Sequence, residues 1–308
     1  MCGLYGEYWM NVFIQGMRRS GTTILFDIFW EDGSFDCYYE PLAAANKKAL
    51  GGGSGVHSVD YFDKIRDCRK AFMLKYQKLE NVDLLNYGAP RLPTLEFEAD
   101  VPEYVREYIM FMISQSENTL IKFTRMYCKV RVLWEIDPEA KFVHIVRDPR
   151  AITASYLFGK DQKYKDRFSK EKVFFGKKTN YSAWSSFPFS EFILNTPEFS
   201  YLKGCEDFMR ILILWKYNFR KTHDTGKTLF GDNYLLLRHE DLLAEPELTL
   251  KSIYDFLGLP LPGHVLEWAK ANVNSKPNIY ASDNSRWQEA FKRLDAEEEL
   301  KIAGYNLQ

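Results

Sequence analysis

The chain has 308 residues, 46% of them hydrophobic and 27% charged, which is enough for one large α/β domain or two small ones, with a sizeable core. Its formal net charge of -1 argues against a broad nucleic-acid footprint, which needs a basic excess, so an anionic ligand has to be met by a local cluster of cations. The five cysteines, Cys2, Cys37, Cys68, Cys128 and Cys205, are scattered and suggest neither a disulfide framework nor a metal site.

From the N-terminus, Val12 to Gln15 reads as a buried strand and Thr22 to Trp30 as a helix. Phe35 to Tyr39 is a second strand, followed by the glycine loop "GGGSG" at Gly51 to Gly55. A helix at Pro102 to Gln115, strands at Thr119 to Phe123 and Lys141 to Val146, and a helix at Pro149 to Phe158 come next. The span from 159 to 204 is long for a connection and mixes charge with aromatics, so it reads as an acceptor-binding insertion. Glu206 to Thr222 (helix), Tyr234 to Leu237 (strand) and Pro246 to Leu257 (helix) complete the pattern. Strands so continuously apolar belong to a parallel sheet covered on both faces. The expectation is a single α/β domain over 1–308, three layers deep, with ligands at the C-terminal strand ends. No run approaches the roughly 18 apolar residues of a membrane span, and "MCGLYGEYWM" has no signal-peptide pattern, which points to a cytoplasmic setting.

The loop "GMRRSGTT", Gly16 to Thr23, has the outline of a phosphate-binding loop. Where a strand meets a helix, free N–H groups of the first helical turn and the helix dipole favour an anion. Gly21 permits close backbone approach, and Ser20, Thr22 and Thr23 add hydroxyls. The glycine spacing of a Walker A loop is kept, but Thr22 stands where the lysine should be, and Arg18 and Arg19 precede the second glycine. A second stretch, "VRDPRAITAS", sets Arg147 and Asp148 at a strand end, Pro149 at a first helical position and Ser155 two turns along. Arg147 can fork onto a phosphate with Ser155 donating from the same side; equally, Asp148 can cap the helix and pair with Arg147.

Together "RRSGTT" and "VRDPRAITAS" resemble the 5′-phosphosulfate loop and the 3′-phosphate element of the PAPS-dependent sulfotransferase family. "LLLRHEDLLAEPELTLKSIYDFLGLPL", Leu235 to Leu261, is similar to that family's strand, acidic turn and closing helix. The resemblance implies a P-loop-like fold and 3′-phosphoadenosine 5′-phosphosulfate (PAPS) as co-substrate, with no catalytic metal. It also implies that Arg19 meets the charge on the bridging oxygen and that Gly21, Thr22 and Thr23 hold the 5′-phosphate. Arg147 and Ser155 would hold the 3′-phosphate, and Arg18 and Ser20 complete the donor-binding loop. "NSRWQEAFKR", Asn284 to Arg293, resembles the segment that closes over the nucleotide, which adds Arg286 at the 3′-phosphate, with Trp287 beside it or in the core.

Sulfonate transfer to an alcohol needs a base opposite the nucleotide. "CYYEPL" supplies Glu40 at the end of the second strand, with Pro41 keeping the turn extended; the carbohydrate branch of the family has a similar Tyr-Glu-Pro element whose glutamate is the base. His57 is the main rival, while His144 and His239 read as structural. Lys122 and Arg125 at a strand end could face the sulfonate or the acceptor, and Lys177 and Trp184 could line an acceptor cleft. The acceptor expected is a hydroxyl-bearing glycan or glycolipid, with a phenol or small natural product second. A divergent kinase and a non-catalytic nucleotide binder are the other classes.

Overall fold

The computed structural model describes residues 9–42, 58–75, 93–158, 174–178, 186–273 and 284–307. Five strands, β1 (Met10–Gln15), β2 (Asp36–Tyr39), β3 (Asn118–Phe123), β4 (Lys141–Val146) and β5 (Tyr234–Arg238), form one sheet in the order β2-β3-β1-β4-β5. Every neighbouring pair is parallel.

The helices that matter to the site are α1 (Thr22–Asp32), α2 (Ser58–Lys75), α3 (Pro93–Phe97), α4 (Glu103–Ile113), α5 (Val130–Ile136), α6 (Pro149–Phe158) and α7 (Ser186–Leu194). They are followed by α8 (Asp207–Phe230), α9 (His239–Ala244), α10 (Pro246–Leu257), α11 (Gly263–Asn272), α12 (Asn284–Leu294) and α13 (Glu297–Ile302). Because strand side chains alternate faces, Val12 and Ile14 pack with Leu25, Phe29 and Ile253 on one side of the sheet. Phe13 packs with Val105, Tyr108 and Leu133 on the other. The expected three-layer α/β architecture is therefore present, with strands buried on both faces.

The chain runs outward from β1 to β2 on one side of the sheet and from β4 to β5 on the other. The crevice between the carboxyl ends of β1 and β4 is thus the topological switch point, where such sheets bind ligands.

All five predicted strands are present within two residues of the expected ends. The helix expected at Glu206 to Thr222 continues to Phe230. Gly226 lies inside it as a packing site, not a stop: a Cβ there would come within 2.7 Å of the Tyr234 ring. The helices α2, α5 and α11 have weak patterns and escaped the sequence reading. Part of the 159–204 span is packing: Phe174, Phe175, Ile193 and Leu194 are buried. Residues 159–173 and 179–185 lie outside the described residues, as do Gly51 to Gly55, His57 and Trp184. Among the described residues, no helix is long and apolar enough to cross a membrane.

Candidate active site

At the end of β1 the chain turns twice through left-handed backbone, at Arg19 (φ 76°) and at Gly21 (φ 91°). Gly21 is the N-cap of α1 and supplies no side-chain cap, and no acidic residue sits in the helix's first turn. The first-turn N–H groups therefore point into the loop with no carboxylate competing for them, which is an anion nest. A Cβ on Gly21 would lie 2.1 Å from Nδ1 of His239, so the loop tolerates no side chain there. His239 begins α9, directly after β5, and its buried Nδ1 has no hydrogen-bond partner among the described residues. Burial, and secondly Arg147, push this imidazole down to about 3.

The hydroxyls of the loop differ in what they do. Ser20 is buried, and both its Oγ (2.6 Å) and its N–H (3.1 Å) donate to the carbonyl of Met17. Expected as a ligand donor, it instead spends both donors on closing the loop. Thr23 Oγ1 lies 3.0 Å from the Tyr39 hydroxyl, tying α1 to the end of β2, and Thr22 is buried at the helix start.

Across the crevice, Arg19 Nε donates to Ser155 Oγ at 2.7 Å, and Arg147 Nη1 donates to the Arg19 carbonyl at 3.1 Å. The two elements that were separate in sequence are one cluster in space. Burial lowers the pKa of both guanidiniums; Tyr156 partly offsets this for Arg19, and Glu240 does so for Arg147. Asp148 does not pair primarily with Arg147. It takes the Arg150 N–H at 2.8 Å and the Arg150 guanidinium at 2.9 Å, capping α6 and leaving Arg147 to the crevice.

Glu240, unassigned from sequence, buttresses this turn: Oε1 accepts the Asp148 N–H at 3.1 Å and Oε2 accepts the Tyr305 hydroxyl at 2.7 Å. The rule that strand ends carry function could have singled out His239 and Glu240, because they follow β5 as Arg147 follows β4.

Glu40 stands one residue past β2. Its N–H donates to the Lys122 carbonyl at 2.9 Å, continuing the β2–β3 ladder, and its own φ of 42° turns the chain. Lys122 Nζ lies 2.5 Å from Glu40 Oε1 and 4.1 Å from the centroid of the Tyr39 ring. Burial depresses the Lys122 pKa, and Glu40 pulls it back. Lys122 side chain is 1% exposed and that of Glu40 20%, so the carboxylate is held from behind yet reachable. On α2, Arg69 Nη2 donates to the Pro41 carbonyl at 2.5 Å and secures the same turn.

Other predicted residues lie elsewhere. Arg18 faces a cleft that also contains Arg125 and Tyr156. Arg286 pairs with Glu206 at 3.2 Å and lies over Phe175 and Phe208, at the start of α8. Trp287 is core, packed on Phe174, Phe175 and Phe208. His144 is buried in β4 with Nδ1 2.8 Å from the Tyr234 hydroxyl, and Lys177 is exposed. Among the described residues no group of three or more His, Cys, Asp or Glu is placed to hold a metal ion.

A family model described as "Sulfotransferase domain" matches residues 10–298. Carbohydrate sulfotransferase 1 of Rattus norvegicus is 28% identical over 139 residues, which is 45% of this chain and 28% of that protein. The omega-hydroxy-beta-dihydromenaquinone-9 sulfotransferase of Mycobacterium tuberculosis is 24% identical over 131 residues, 42% of this chain and 26% of that protein. The matched stretch is thus under a third of the length of these curated relatives. Among solved structures, a sulfotransferase domain from the curacin biosynthetic pathway overlays at a TM-score of 0.49 and 14% identity, covering 96% of this chain and 98% of that one. With the family match running from β1 to the start of α13, and with the loop, crevice and strand-end residues assembled within it, the chain belongs to the sulfotransferase domain family.

Proposed function

We propose that this protein transfers a sulfonate group from PAPS to a hydroxyl of a carbohydrate acceptor, with Glu40 as general base and Arg19 at the leaving oxygen. One observation carries the reading: at a single switch-point crevice an uncapped helix N-terminus meets Arg19, Arg147 and Ser155, while Glu40 is held at the end of β2. The uncapped N–H groups and the glycine-only position suit a phosphate pressed against backbone, and two guanidiniums suit a ligand with more than one anionic group.

In the reaction proposed, the acceptor oxygen forms a new S–O bond and the bond from sulfur to the bridging phosphate oxygen breaks. The acceptor's proton goes to Glu40, and the products are the sulfate ester and 3′-phosphoadenosine 5′-phosphate (PAP). Arg19 faces the charge that builds on the departing oxygen, which is where preorganised cations act most strongly. Lys122 holds Glu40 in place at the end of β2, where its carboxylate can take the proton. The Tyr-Glu-Pro turn and the carbohydrate sulfotransferase relative both support a sugar hydroxyl as the acceptor.

An acceptor screen with labelled PAPS, read by mass over neutral and acidic glycans, glycolipids and phenols, tests the reading. The expected product is a sulfated glycan, and Glu40→Gln should keep PAP affinity while turning over about 100-fold or more slowly. Transfer to phenols alone would move the acceptor class. Near-normal turnover by Glu40→Gln would remove it as the base. Magnesium-dependent ATP hydrolysis in place of transfer would replace the whole assignment.

A further inference from the structure

Beyond residue 298, where the family match stops, the chain turns back to the donor crevice. After α13 it makes a Schellman turn. Gly304, in left-handed backbone (φ 74°), donates its N–H to the Lys301 carbonyl at 3.1 Å, and Tyr305 donates its N–H to the Leu300 carbonyl at 2.7 Å. The resulting hook closes on the end of β5. A Cβ on Gly304 would lie 3.1 Å from Cδ of Arg238, and the Arg238 guanidinium sits 4.8 Å from the centroid of the Tyr305 ring. Tyr305 is buried and belongs to the same hydrophobic cluster as Met17 of the phosphate loop and Val146 of β4.

A buried phenol ordinarily finds some acceptor, but here the acceptor has a second task. The Tyr305 hydroxyl donates to Glu240 Oε2 at 2.7 Å, while Oε1 of the same carboxylate accepts the Asp148 N–H at 3.1 Å. That N–H lies in the planar peptide unit whose carbonyl belongs to Arg147, so holding it fixes the backbone directly after Arg147. The Asp148 side chain is committed elsewhere, to the N–H and guanidinium of Arg150. Arg147 Nη1 in turn donates to the Arg19 carbonyl, and Arg19 Nε donates to Ser155 Oγ on α6. Burial lowers the Arg147 pKa and Glu240 is the foremost group raising it, so the carboxylate also acts on the guanidinium through its charge. A continuous path of hydrogen bonds and one peptide unit thus runs from the hook to the crevice.

Resting on the sulfotransferase reading, we propose that Tyr305 is a positioning residue of the donor site: through Glu240 it holds the Arg147–Asp148 peptide and so sets how tightly the 3′-phosphate end of the nucleotide is bound. Tyr305 touches no ligand in this role. It keeps Glu240 in the one orientation that serves the Asp148 N–H, and Arg147 is thereby presented to the crevice before the nucleotide arrives, which lowers the cost of ordering it on binding.

The test is calorimetric titration of the full chain with PAP and with adenosine 5′-phosphate, which lacks the 3′-phosphate. Tyr305→Phe keeps the buried ring and removes only the hydroxyl. It should weaken PAP binding about fivefold or more and leave adenosine 5′-phosphate within about twofold, whereas a merely loosened fold would weaken both alike. A double-mutant cycle checks the route. Glu240→Ala should lose at least as much PAP affinity, and adding Tyr305→Phe to it should change that affinity by no more than about twofold. Unchanged PAP affinity in Tyr305→Phe, an equal loss for the two nucleotides, or a full further loss in the Glu240→Ala background would each overturn the Tyr305 assignment alone. Failure of the parent protein to bind PAP at all would overturn the sulfotransferase reading, and the Tyr305 assignment with it.

Discussion

Lys122 and Glu40 meet at 2.5 Å because the parallel ladder of β2 and β3 delivers both to the same end of the sheet. Tyr39 is in register with Lys122, and Glu40 adds one further backbone hydrogen bond before its left-handed turn. A fully buried lysine beside a partly exposed carboxylate fixes where that carboxylate sits. Lys122→Met removes that support. The variant should turn over about tenfold or more slowly while keeping its PAP affinity within about twofold. An unchanged kcat would show that Lys122 does not act on Glu40.

Gly21 is the tightest position in the loop. In Gly21→Ala the new Cβ must occupy left-handed backbone and collide with the His239 ring. Left-handed strain of about 1–2 kcal/mol and overpacking of about 1–3 kcal/mol should lower the urea midpoint and abolish PAP binding. Combining it with His239→Ala relieves the collision but not the strain, so stability should return in part. No recovery at all would mean that the ring is not what the Cβ meets.

Arg147 and Arg286 are both arginines expected from sequence at the 3′-phosphate; Arg147 donates to the Arg19 carbonyl of the loop, whereas Arg286 pairs with Glu206. Losing hydrogen bonds to a charged group costs about 1.5–3 kcal/mol, so Arg147→Ala should weaken PAP binding roughly 10- to 100-fold. Arg286→Ala should leave PAP affinity within about twofold, since its partner Glu206 sits at the start of α8. Titration calorimetry on the two variants separates these outcomes, and a large loss in Arg286→Ala would return that residue to the donor site.

Two buried histidines make the fold sensitive to acid. Burial pushes His144 and His239 each down to about 3, whereas an unfolded histidine titrates near 6.5. Between these values the unfolded chain binds protons that the folded chain does not. The stabilisation is therefore complete above about pH 6.5 and is lost as pH falls toward 3, at about 1.4 kcal/mol per pH unit for each histidine. Urea denaturation at about pH 7 and about pH 5 should show this slope, and His144→Gln should flatten it by about half. An unchanged slope in that variant would rule out His144 as a contributor.

Much of the fold was legible because buried parallel strands are apolar on both faces and stand out as short continuous runs. "NVFIQ", "NTLIKF" and "KFVHIV" were readable for that reason. The helix Ser58–Lys75 was not, because its apolar residues are diluted by charges and its partners lie far away in sequence. The phosphate loop and the second arginine element were legible as local patterns, since a loop that cradles an anion needs glycine, hydroxyls and cations within a few residues of one another.

By itself the sequence determined the α/β architecture, the strand ends and the residue types of the loop and the crevice, because those depend on local periodicity and turn chemistry. Only the tertiary structure decided which of these side chains meet. It turned Ser20 inward, joined Arg19 to Ser155, paired Glu40 with Lys122 across two strands, and sent Arg286 to Glu206. The physical reason is that these partners are set by strand order and register, which bring together residues 82 and 136 positions apart in the chain, and no local pattern encodes such a distance.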